Sequence, residues 1–321
     1  MPFTPFSVPG TVHRFTPQLS AFELSTSSSS TQTESSPPNT LLWVGGLGDG
    51  LLTVSYVRHL AASLPSTWTL AQVLLSSAYS GWGMSSIAKD AAEIGQCVAY
   101  FRKLRPGAKI VLMGHSTGTQ DLAEYVTGKG ADAREKVDGI ALQAPVSDRE
   151  ALYLALGEKD YNEGVVAARE FVEQGRGEDV LPSRFTKDLM GPAPVCARRW
   201  LDLTSPGPEH RGADDYFSSD LGEKRWGEWC EAIARSKTPV CFLYGGSDEF
   251  VPKSVDKEAL VKTWMRLIKE AGGSVDDING GIVPGASHNL MKSSDEVVND
   301  LIKRVVGFLG KVDGAEFGAK I

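Results

Sequence analysis

From residue 41 onward, short apolar runs bounded by glycine alternate with longer segments of helical period, and this alternation limits the fold more than any other feature of the 321-residue chain. The runs occupy residues 41–44, 70–75, 110–113, 139–142, 240–244 and 278–283. They are continuously apolar, as strands covered on both faces are. Between them, Ile87, Ala91, Ile94, Val98 and Phe101 recur at three- and four-residue spacing, on one face of a helix. Leu260, Trp264 and Leu267 repeat the pattern, and so do Val297, Leu301, Val305 and Leu309. Strand–helix–strand alternation predicts a mainly parallel sheet with helices on both faces. Two short strands, 12–15 and 20–24, precede it. Residues 25–38, nearly all Ser, Thr, Gln, Glu and Pro, have little to bury and read as a surface loop.

The rhythm breaks once. Between Asp148 and Lys237 helical patterns appear without a buried-strand run, together with a stretch rich in Pro, Gly and Asp at 205–220. That is too long for a plain loop. It predicts a cap (148–237) inserted into a core made of 1–147 and 238–321, lying over the carboxyl edge of the sheet, where open α/β sheets bind ligands.

Net charge is −7, and no cluster of five or more Lys and Arg exists, so a nucleic-acid partner is not expected. No run of 18 apolar residues could cross a membrane. The N-terminal MPFTPFSVPG lacks the basic and apolar regions of a secretory signal. Cys97, Cys196, Cys230 and Cys241 form no CxxC pair and no metal-ligand pattern. A cytoplasmic protein with free thiols and no bound metal is expected.

Chemistry enters at Gly114-His115-Ser116-Thr117-Gly118. A G-x-S-x-G is weak by itself, but here a buried strand precedes it and a helical pattern with Leu122 and Val126 follows. That context predicts a nucleophile elbow, a strained turn presenting the serine, with small neighbours that let strand and helix pack closely. A serine hydroxyl needs a base. Of five histidines, His13 and His59 precede the nucleophile, His115 adjoins it and His210 falls in the cap. His288, in a turn between the last strand and the last helix, fits the chain order Ser, acid, His. The acid expected to orient it is Asp248, in the turn after the 240–244 strand; Asp148 and Glu249 are rivals.

An oxyanion needs backbone N–H donors. Thr117 supplies one, and Leu47, with Gly46 as the alternative, the other, from Gly45-Gly46-Leu47-Gly48-Asp49-Gly50. That loop is neither G-x-G-x-x-G nor a lysine-bearing phosphate loop, and Asp49 would repel phosphate. Asp49, Tyr79, Trp82 and Tyr216 are candidates to line a substrate pocket. Acyl transfer through a seryl intermediate requires no cofactor. Asp214, Asp215 and Asp220 would make the cap rim acidic and suited to an amine-bearing substrate.

With these motifs placed, the chain resembles the DUF1749 group of mainly fungal α/β-hydrolases. The resemblance rests on PGTVHRFTP (9–17), LLWVGGLGDGL (41–51), SAYSGWG (77–83), MGHSTGTQD (113–121), LQAPVSDREA (142–151), DDYFSSDL (214–221), GGSDEFVP (245–252) and GASHNL (285–290). These blocks span nearly the whole chain, and GGLGDGL, SGWG and DDYFSSDL are the more particular ones. The resemblance implies an α/β-hydrolase fold with a helical cap, and ester hydrolysis by Ser116, Asp248 and His288. It makes an iron-bound siderophore ester of the fusarinine type, opened inside the cell, a candidate small-molecule substrate. Thioesters, lactones and acyl transfer would use the same chemistry, and a non-catalytic binding protein on this fold would normally lack one of the three residues.

Overall fold

The computed structural model describes residues 5–25, 36–186 and 193–314. Most of the expected loop (26–35) and a short part of the expected cap (187–192) lie outside the described residues.

Among the described residues eight strands form one sheet in the order β1-β2-β4-β3-β5-β6-β7-β8. They are β1 (Gly10–Arg14), β2 (Ser20–Leu24), β3 (Asn39–Val44), β4 (Trp68–Leu74), β5 (Ile110–His115), β6 (Gly139–Gln143), β7 (Val240–Gly245) and β8 (Gly281–Val283). β1 and β2 run antiparallel at one edge, and every pairing from β4 to β8 is parallel. The last expected strand is shorter than read. Asp276 accepts from the N–H groups of Ile278 and Asn279, which folds 276–279 into a turn and leaves Ile278 77% exposed.

Successive strand residues point to opposite faces. Leu42, Val44, Leu112, Ile140, Leu142 and Phe242 enter one apolar cluster, with α2 (Ile87–Leu104), α3 (Thr117–Thr127), α6 (Gly222–Ser236) and α7 (Lys257–Glu270) above them. Leu41, Trp43, Val111, Met113, Ala141 and Leu243 enter the other, under α1 (Tyr56–Ser63) and α8 (Asp295–Gly314). Both faces are dry, which is why these strands read as unbroken apolar runs.

A third cluster joins Leu152, Tyr161, Val165 and Ala168 of α4 (Asp148–Glu173) to Trp200 and Leu203 of α5 (Ala197–Thr204), with Trp82 from the rim of the sheet. Gly157 (φ 76°) breaks α4 into two helical halves. α6, although inside the expected 148–237 segment, sends Trp226, Trp229, Cys230 and Ile233 into the core cluster. Among the described residues no helix is long and apolar enough to cross a membrane.

The chain moves outward from β3 to β4 and then back across to β5, so the order reverses between β3 and β5. Loops leaving the carboxyl ends of two such neighbouring strands diverge and open a crevice.

Candidate active site

Ser116 caps β5 at φ 54°, ψ −128°, a conformation that costs a non-glycine residue energy and is tolerated where the surroundings fix it. Its N–H donates to Gln143 O on β6 at 3.1 Å. The flanking glycines allow the close crossing. A Cβ on Gly114 would stand 2.4 Å from the Gly118 carbonyl oxygen, and one on Gly118 would stand 2.6 Å from that of Val44.

His288 Nε2 lies 2.8 Å from Ser116 Oγ, and its Nδ1 lies 2.8 Å from Asp248 Oδ2. In the tautomer that donates from Nδ1 to the carboxylate, Nε2 accepts the serine proton. Both groups are buried, at 4% exposure for Asp248 and 7% for His288. Asp248 Oδ1 accepts from the Phe250 N–H at 3.0 Å, and the Phe250 ring meets the His288 ring edge-on at 4.7 Å. Lys257 Nζ donates to the Gly246 and Asp248 carbonyls at 3.1 and 3.2 Å, closing the turn that carries Asp248. Glu249 has a different place: its carboxylate accepts from the His288 backbone N–H at 2.9 Å and from Lys292. Gln143 Nε2 holds the His288 carbonyl at 3.1 Å. The support that Glu249, Lys257 and Gln143 give to His288 and Asp248 has no signal in the sequence, because their partners there are backbone atoms.

His115 is fully enclosed, with Nδ1 2.6 Å from Gln143 Oε1 and its ring 5.0 Å from that of His288. Burial, then the charge that His288 would carry, lowers its pKa to about 4. It is therefore neutral at physiological pH.

The glycine-rich loop meets the serine directly: a Cβ on Gly46 would stand 2.6 Å from Ser116 Cβ. The Gly46 N–H donates to Asp49 Oδ2 at 2.9 Å, which leaves it engaged. Leu47 N–H has no hydrogen-bond acceptor among the described residues. Thr117 opens α3, and N–H groups in a first helical turn have no partner within the helix.

A narrow cavity of about 60 Å³ opens at Ser116 and His288, walled by Leu47, Trp82, Val146, Leu152 and Phe250, with Asp148 as its other ionisable group. Of the candidate lining residues, Trp82 is in this wall and Asp49, Tyr79 and Tyr216 are not. Asp49 and Tyr79 instead brace the loop: Asp49 also accepts from Thr53 at 3.1 Å, and the Tyr79 hydroxyl accepts from the Leu51 N–H at 3.0 Å. Tyr216 packs on the core and donates to Glu124 at 2.8 Å. Asp148, Ala151, Leu152 and Ala155 line the cavity at the i, i+3, i+4, i+7 spacing of one helix face, a signal present in the sequence and passed over.

The expected acidic rim is corrected. Asp214 is 1% exposed and meets Arg199 Nη1 at 2.6 Å. Arg149 meets Asp215 at 3.1 Å through Nε and Asp220 at 3.0 Å through Nη1. Three carboxylates are thus matched by two guanidinium groups, and this stretch offers no unpaired acidic face to a substrate. Among the described residues no three His, Cys, Asp or Glu side chains gather as metal ligands.

The model of a family described as a protein of unknown function, DUF1749, matches residues 3–310. The chain belongs to the DUF1749 family. A relative, the fusarinine C esterase of Aspergillus fumigatus, is 36% identical over 94% of this chain and 96% of its own length. An esterase of Emericella nidulans is 34% identical over 95% and 93%. The solved siderophore hydrolase EstB from Aspergillus fumigatus superposes at a TM-score of 0.81, with 35% identity over 95% of this chain and 98% of that one. This DUF1749 member has the α/β-hydrolase fold.

Proposed function

We propose that this protein is a serine esterase in which Ser116 is the nucleophile, His288 the general base and Asp248 the group that orients and charge-balances it. The observation that carries the reading is the pair of 2.8 Å contacts from His288 to Ser116 Oγ and to Asp248 Oδ2. His288 takes the hydroxyl proton as Ser116 Oγ attacks the ester carbonyl. The oxyanion accepts from the Thr117 and Leu47 N–H groups. The tetrahedral intermediate collapses, the alcohol leaves with the proton from His288, and water activated by the same imidazole releases the acid and restores Ser116.

The substrate reading is a siderophore ester of the fusarinine type, with iron arriving as part of the substrate. It is supported by the names of two relatives, each 35% or 36% identical over nearly the whole chain. The cavity at Ser116 holds no more than the reacting end of so large a molecule, and the remainder would lie under the cap. We take that cap to be the part of 148–237 before α6, since α6 packs with the core. A cytoplasmic location is supported by four free, buried thiols.

The test is kcat/KM for a fusarinine-type ester, a short p-nitrophenyl ester, a long-chain ester and a matched thioester. The siderophore ester should be cleaved most efficiently. Failure to cleave it while a simple ester turns over would remove the siderophore reading, and thioester preference would replace ester hydrolysis itself.

A further inference from the structure

We propose that Asp148 sets the specificity of this site by receiving a protonated amine on the acyl half of the substrate, so that the preferred substrates are aminoacyl esters. The inference rests on the serine esterase reading, which fixes how an ester lies across Ser116.

Asp148 is 6% exposed and lines the cavity beside Ser116 and His288. Ser116 and His288 are occupied by the chemistry, and the remaining wall is apolar apart from the Trp82 ring N–H, which can only donate. Asp148 is therefore the one lining side chain left to accept a hydrogen bond or balance a positive charge on the substrate. Its two oxygens each accept one protein hydrogen bond, Oδ1 from Thr117 Oγ1 and Oδ2 from Gln120 Nε2, both at 2.9 Å. A carboxylate has about four acceptor positions, so acceptor capacity remains.

Its charge also lacks a counter-ion. Arg199 is the guanidinium in electrostatic reach, but it is committed to Asp214 at 2.6 Å and to the Trp82 carbonyl at 3.1 Å. Among the described residues Asp148 makes no ion pair. Burial, reinforced by Asp214 and opposed by Arg199, raises its pKa to about 7. A substrate ammonium would supply the missing positive charge and favour the ionised carboxylate.

Direction follows from the mechanism. His288 returns its proton to the leaving alcohol, so the alcohol half lies on the histidine side. The carbonyl oxygen lies toward the Thr117 N–H, and the hydroxyl of that same residue is bonded to Asp148, which puts the carboxylate on the carbonyl side of the scissile bond. An amine within a few bonds of the scissile carbonyl meets the carboxylate there.

The competing role is that Asp148 only holds α3 and α4 together. Three alkyl esters of matched shape separate the two: one with an α-amino group, its N-acetylated counterpart, and one with methyl in place of the amine. The wild type should prefer the free amine by about 10- to 100-fold in kcat/KM, the range of a charge-assisted hydrogen bond. Asp148→Asn should collapse that ratio. Thr117→Val, which removes the same side-chain bond from the other partner, should keep it. No amine preference in the wild type, a preference surviving in Asp148→Asn, or equal loss in both variants would overturn the proposal. Hydrolysis of none of the esters by the wild type would instead count against the esterase reading. In that case, calorimetric binding of the free-amine and methyl esters to Ser116→Ala still reads the amine preference, and equal affinities would overturn the proposal.

Discussion

Gly46→Ala perturbs the site through a single methyl group on a residue that takes no part in the chemistry. The new Cβ would stand 2.6 Å from Ser116 Cβ, 3.1 Å from its Oγ and 3.0 Å from the His115 carbonyl oxygen. Carbon atoms in contact settle near 3.5–4.0 Å, so the loop and the serine must separate by about 1 Å. Neither side yields easily. Ser116 is held by its strained elbow and its bond to Gln143, and the loop by Asp49, Thr53 and Tyr79. The displaced segment carries Leu47, the second proposed oxyanion donor. A misplacement of about 1 Å costs on the order of 100-fold, and full loss of one donor costs about 100- to 1,000-fold. kcat/KM for a p-nitrophenyl ester should therefore fall by about two orders of magnitude, while the overpacking lowers stability in urea by about 1–3 kcal/mol and leaves the variant folded under assay conditions. Gly227→Ala is the control, since a Cβ there has open space around it. If Gly46→Ala turned over as fast as that control, the loop would not press on the serine in the working enzyme and the oxyanion assignment would fall with it.

Asp248→Asn should lower kcat by about 10,000-fold through loss of the correct histidine tautomer, whereas Glu249→Gln, which acts on the His288 backbone, should cost far less; the opposite ranking in steady-state kinetics would move the acid. Arg199→Met leaves Asp214 buried without its partner and should destabilise the protein by about 3–5 kcal/mol in urea unfolding at neutral pH; an unchanged midpoint would mean that the pair contributes nothing to folding. Asp148 keeps its proton to about pH 7 in the folded protein against an ordinary value of 3.8, so the native state holds the extra proton between these limits and stability falls as pH rises through that window. Asn cannot titrate, so the urea midpoint of Asp148→Asn should fall less than that of the wild type between pH 5 and pH 7; parallel profiles would show that Asp148 ionises normally.

The central sheet was legible because β3, β5, β6 and β7 are buried on both faces, and a strand with two dry faces has no polar positions to blur its outline. β8 was overextended because Ile278, a strand-forming residue, sits in a turn set by the Asp276 carboxylate. Ser116, Asp248 and His288, the proposed triad, each follow a strand in the sequence, and the structure brings their side chains within 2.8 Å of one another in series. The acidic cap was misread for a physical reason. Asp214 and Asp220 find their guanidinium partners 15 and 71 positions away in Arg199 and Arg149, and local charge density says nothing about such pairs. In the sequence Asp148 stands out only as a rival to Asp248. Its bond to Thr117 spans 31 positions and shows what it faces only once α4 is laid against α3.

A fluorophosphonate probe followed by peptide mapping tests Ser116 as the nucleophile most directly. A single adduct on Ser116, lost in Ser116→Ala together with ester hydrolysis while the variant remains folded, is the expected result. An adduct on another residue, or labelling and hydrolysis that survive in Ser116→Ala, would contradict it.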